Sequence, residues 1–147
     1  MSPTRDNDSP LPEHTRPATA DDATVAAVGK LSEALETVER ARGRLYDFHQ
    51  LTGSADLALG EAVDGLRDAG HADLADRIET ELVGRNVIAG RWTFQVVEEY
   101  DDGYYALFRA LEQTARDALL DGRRHIYEAE MKEARRTHNR PGHEPHP

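Results

Sequence analysis

Residues 84–111 read GRNVIAGRWTFQVVEEYDDGYYALFRAL, and the fold turns on whether this stretch is strand or helix. It contains the only tryptophan (Trp92), three of the five tyrosines, two of the three phenylalanines, and the acidic cluster Glu98, Glu99, Asp101 and Asp102. Large rings in a small domain belong where elements converge, because each buries far more apolar area than an alanine does. At period two, Trp92, Phe94 and Val96 suggest a strand with Asp102-Gly103 as its turn. At helical period, Thr93, Val97, Tyr100, Tyr104, Leu107, Leu111 and Ala118 fall on one stripe at spacings near three and four. The helical pattern runs longer and a strand here has no partner, so the spacing predicts a helix from about Thr93 to Leu120. Gly103 interrupts that helix at about 1 kcal/mol relative to alanine and marks a kink or a close approach.

The preceding chain is also helical in pattern. Val28, Leu31, Leu35, Val38, Arg42, Leu45, His49 and Thr52 recur at alternating three and four, a heptad seam widened by Ala34, Ala41 and Phe48. This predicts a first helix over about 21–52. Gly53-Ser54 is read as a C-terminal stop followed by a new N-cap, with a second helix over about 55–69 closed by Gly70. A third helix over about 73–83 carries Leu74, Ala75, Ile78 and Leu82, and a last short one over about 123–137 carries Ile126, Tyr127, Met131 and Ala134. The expected fold is all-α, an up-and-down bundle of four to five helices in which the two long helices form the spine. Residues 20–138 are read as one bundle domain. Residues 1–19, rich in proline and charge and poor in apolar side chains, and residues 139–147 are expected to be disordered tails.

Composition narrows the function. The chain has 147 residues, a formal net charge of −10 and no cysteine, so disulfide, thiolate-metal and cysteine-nucleophile chemistry are out of reach. Residues 23–122 carry ten basic against nineteen acidic side chains, a balance that repels phosphate backbones and makes nucleic-acid binding unfavourable. The basic stripe Arg123, Arg124, Lys132, Arg135, Arg136 and Arg140 is interleaved with Glu128, Glu130 and Glu133, the pattern of ion pairs on a solvated helix. No apolar run reaches the ~18 residues needed to cross a bilayer, and the opening residues lack a hydrophobic signal core, so a cytoplasmic protein without membrane contact is expected.

Site candidates are few. His49 together with Glu98, Glu99 and Asp102 offers nitrogen and oxygen donors for a divalent metal, the one cofactor considered, and Glu98 and Asp102 share a helix face at i, i+4. A rim histidine and a solvated acidic face are the plainer alternatives. Trp92, Tyr100 and Tyr104 are candidate ligand-pocket residues, with a packed core as the preferred alternative. His49 before Leu51-Thr52-Gly53 resembles the helix end of three-histidine DinB-like hydrolases. Their second histidine pair is lacking, because His125 is followed by Glu128 and then by no histidine until His138. Ferritin-like Glu-x-x-His pairs are absent from the bundle helices, as are Gly-rich phosphate loops and nucleophile elbows. The phrases Leu45-Tyr-Asp-Phe-His-Gln50, Glu81-Leu-Val-Gly-Arg-Asn86, Gly90-Arg-Trp-Thr-Phe-Gln95 and Glu98-Glu-Tyr-Asp-Asp-Gly-Tyr104 resemble small helical proteins of actinobacterial type. That resemblance spans roughly residues 25–138 and implies a helical fold and no site. The reading therefore favours a non-enzymatic helical interaction or structural protein that self-associates or binds a protein partner. The alternative is a metal- or small-ligand-binding bundle, a hydrolase included, built on His49 and Glu98–Asp102.

Overall fold

A computed structural model describes residues 8–146. The fold is all-α. Helix α1 spans Asp22–Asp68, α2 Ala72–Glu81, α3 Thr93–Tyr100, α4 Ala106–Leu120 and α5 Ile126–Arg135; a single 3-10 turn covers Pro12–His14. Between α3 and α4 the chain stays helical but widens into a π turn, Asp101–Tyr105. Among the described residues the only extended pairing is an isolated bridge, Ile88 to Arg91, inside the loop before α3.

The expected break at Gly53-Ser54 is corrected: α1 runs through it as one 47-residue helix. A glycine ends a helix by adopting left-handed dihedrals, and Gly53 is absent from the positive-φ residues, whereas Gly70 has φ 88° and does close α1. The cost of an internal glycine, ~1 kcal/mol, is too small to stop a helix that packs along its length.

The described residues divide into two compact units. One comprises the described residues up to Glu36 together with those from Leu107 onward; the other comprises Thr37–Ala106. In the first unit, Ala20, Val25, Val28, Leu120 and Ile126 form the buried apolar cluster. Tyr127 of α5 presses so closely on Gly29 of α1 that a Cβ there would sit 2.8 Å from the Tyr127 Cβ. Beside the apolar cluster lies a buried polar pair. Arg116 Nε donates to Glu112 Oε1 at 2.7 Å, and Ser32 Oγ of α1 donates to the same oxygen at 2.9 Å.

The first unit also includes the described parts of both terminal segments. Residues 1–7 and 147 lie outside the described residues, but from Asp8 onward the chain is tied down by charge. Arg16 grips Glu130 of α5 through two hydrogen bonds of 2.6 and 2.8 Å and reaches Asp22 at 2.7 Å. Arg136, its side chain fully buried, donates to Glu133 and to the Asp8 carboxylate at 2.8 Å. His138 Nδ1 lies 2.9 Å from the other Asp8 oxygen. Composition argues disorder from the lack of apolar burial, and these ion pairs act through a different term.

In the second unit, α1 pairs antiparallel with the segment from Thr93 to Tyr105. Tyr105 Oη donates to Glu39 at 2.6 Å, Arg42 contacts Asp101, and His49 contacts Thr93. Helix α2 folds back on the end of α1, where Ala75 and Val63 are buried and Arg67 bonds Asp76 at 2.7 Å and also Glu79.

Two outcomes follow from this packing. Gly29→Ala gains helix propensity but collides with Tyr127, so a net loss of about 1–3 kcal/mol is expected in chemical denaturation. Gly43→Ala and Gly65→Ala meet nothing within 4 Å and should gain about 0.5–1 kcal/mol. The second outcome concerns acid. Arg136, chiefly, holds the Asp8 carboxyl down from 3.8 to about 2. A depressed folded-state value gives stability that is full above the unfolded pKa and lost as pH falls through the folded one. The melting-temperature gap between wild type and Asp8→Asn should therefore be constant above about pH 4 and close towards pH 2; a gap independent of pH would remove Asp8 as the titrating anchor.

Candidate functional site

The second unit carries an open cavity of about 690 Å³, lined by Thr52, Asp56 and Leu59 of α1, Leu82 and Val87 of the loop region after α2, and Trp92 and Thr93 at the start of α3. Its walls are shaped by local rules. Gly84, at φ 71°, turns the chain out of α2, and its N–H donates to Asp56 Oδ1 at 2.9 Å, anchoring the loop to α1. The loop returns through Gly90 at φ 78° to Trp92, whose N–H donates to Gln95 Oε1 at 2.8 Å, the side-chain half of a capping box. The Trp92 indole stands against Phe94 with ring centroids 5.3 Å apart and planes tilted by 55°. It remains 57% exposed.

One end of this wall is a polar lock. His49 Nδ1 lies 2.7 Å from Thr93 Oγ1. Two turns earlier on α1, Arg42 forks onto Asp101 with bonds of 2.7 and 3.0 Å, and its guanidinium lies 5.0 Å from the Tyr46 ring centre and 4.8 Å from that of Tyr105. The hydrogen bond from Arg42, above all, lowers the Asp101 carboxyl below the ordinary carboxylate range and raises the guanidinium.

The residues singled out from sequence are thereby distributed rather than gathered. His49 meets Thr93, Glu99 pairs with Arg91 at 2.8 Å, and Glu98 and Asp102 are exposed. Among the described residues these four do not form a metal-holding group. Trp92 lines the cavity. Tyr100 is half-buried and stacks on Tyr105 at 6.5 Å, and Tyr104 lies tilted against Tyr100 at 5.8 Å while remaining 58% exposed. The packed-core expectation for Trp92 and Tyr104 is corrected. For Tyr104 the reason is the π turn, which adds a residue to one helical turn and advances the inward phase by one. Up to Tyr100 the sequence stripe faces inward as expected. Beyond it Tyr105, Phe108, Glu112 and Arg116 face in, while Tyr104, Leu107 and Leu111 face out.

Sequence reasoning passed over a further grouping. In the first unit, Glu36, His125 and Glu128 bring ligand-type atoms within 4.8 Å of one another. The signal was present as His125-Glu128 at i, i+3, but the third member lies 89 positions earlier, beyond what spacing reveals. No protein-family model matches the chain, nor does any curated protein or solved structure.

The exposure of Trp92 has a direct readout. Iodide should quench its emission in dilute protein, and Trp92→Ala should change stability by less than about 1 kcal/mol. Val97→Ala, at a buried position on the same helix, should cost about 2 kcal/mol. Equal losses at both positions would return the indole to the core.

Proposed function

We propose that this chain is a non-enzymatic helical interaction protein that self-associates through its second unit. The observation that carries this reading is an imbalance of burial. Between Thr37 and Ala106 four apolar residues are buried, whereas eleven large ones, among them Leu51, Leu57, Leu82, Val87, Ile88, Trp92 and Phe94, are exposed. Single exposed leucines are ordinary, but eleven large apolar side chains exposed on one small unit are what interaction surfaces present.

A second copy is favoured as the occupant because the unit carries both halves of a fit. The cavity offers an apolar recess floored by Gly53, Ala55 and Leu59. Leu57 and Leu51, 76% and 67% exposed on the flanks of the same stretch of α1, supply ridges of matching chemistry. A ridge and a recess on one surface allow a two-fold, self-complementary interface. The net charge of −10 opposes association at low salt, so added salt should strengthen it.

Light scattering and sedimentation test the reading. A mass above the 16.4 kDa of one chain is expected, rising with concentration and salt. Leu57→Glu and Val87→Asp should each return the protein to a single-chain mass with helical circular dichroism retained. A strictly single-chain mass up to about 1 mM, the affinity limit of a useful contact, would overturn it. So would an oligomer indifferent to both substitutions.

A further inference from the structure

We infer that Glu36, His125 and Glu128 form a binding site for a divalent transition metal of the zinc type. The three side chains come from the middle of α1, the residue before α5 and the first turn of α5, and their donor atoms lie within 4.8 Å of one another. All three belong to the first unit.

The electrostatics of the trio set it apart. Elsewhere in the unit, carboxylates that converge do so on an arginine: Glu130 on Arg16, Glu133 and Asp8 on Arg136, Glu112 on Arg116. Among the described residues, the side chains of Glu36, Glu128 and His125 have no hydrogen-bond or ion-pair partner. Two carboxylates this close repel, and the position a cation would take in the other clusters is met here by an imidazole. A metal ion between them supplies the missing charge. One nitrogen and two oxygens, with no thiolate, suit a borderline divalent ion, and an imidazole selects against calcium and magnesium. Three protein ligands leave a coordination position for water. Metal–ligand bonds of about 2.0–2.2 Å bring donors closer than 4.8 Å apart, an adjustment within reach of the exposed Glu36 and His125 and the half-buried Glu128.

The backbone presents the trio. His125 adopts φ 56° and ψ 34° at the entry to α5, and its side chain makes no capping bond. The contact of Gly29 with Tyr127 brings this end of α5 onto the face of α1 that carries Glu36 two turns later. A bound ion would clamp α5 to α1 across 89 positions of sequence, a restraint absent from the unfolded chain and therefore stabilising.

The test uses the full, untagged chain. Titration calorimetry with Zn²⁺ is expected to show one site of equal stoichiometry, with Mg²⁺ giving none. Zn²⁺ should raise the melting temperature and slow amide exchange over residues 126–135. Glu36→Gln/Glu128→Gln and His125→Ala should each weaken binding ~10-fold or more and abolish the slowing of exchange. Co²⁺ should give a visible absorption band that His125→Ala removes. His14→Ala/His71→Ala should leave affinity unchanged, since those exposed histidines are outside the trio. Absence of binding at about 100 μM Zn²⁺, or affinity that survives loss of the trio and falls with His14 and His71, would overturn the assignment.

Discussion

The fork between Arg42 and Asp101 fixes how the aromatic segment lies on α1. A guanidinium held by two hydrogen bonds and lying over the rings of Tyr46 and Tyr105 satisfies charge, geometry and ring electrostatics in one place. Asp101 and Tyr105, four positions apart on one helix face, reach the same arginine, and the turn that contains them is a π turn. Gly103 lies inside that turn with no contact that a Cβ would disturb, so its low helix propensity favours the widening without serving any close approach. The extra residue sets the phase of everything after it. Phe108, Glu112 and Arg116 are turned inward, and Leu107 and Leu111 are turned out.

The two units solve burial differently. The first encloses a small apolar cluster and surrounds it with arginine-centred ion pairs, several of which join segments more than a hundred residues apart, as Arg16–Glu130 and Arg136–Asp8 do. The second encloses less and exposes more, with Trp92 and the ridge leucines open to solvent. A unit of that kind is held by its polar locks, His49 with Thr93 and Arg42 with Asp101, while much of its apolar surface stays exposed.

Sequence periodicity was sufficient for the all-α class, for the inward phase of Val28, Val97 and Tyr100, and for Gly70 as a helix end, because those features depend on local dihedrals and on spacing along one helix. The same local signals misled at Gly53-Ser54, where stop chemistry is present without the left-handed turn that would use it. They also misled at Tyr104, Leu107 and Leu111, since no propensity scale registers a single π turn. The acidic cluster was visible as a string of letters; that Asp101 answers Arg42 and Glu99 answers Arg91 was not.

What the sequence by itself determined is therefore the helical class, the acidic net charge and the absence of cysteine. Tertiary structure alone decided that residues 8–19 are tied to the C-terminal helix, that Trp92 lines an opening, and that Glu36 faces His125 and Glu128. The division has one cause. Helix propensity and net charge are summed over neighbours in the chain, while ion pairs, the phase of a helix beyond a π turn and convergent ligand sets depend on residues that meet only when distant segments pack.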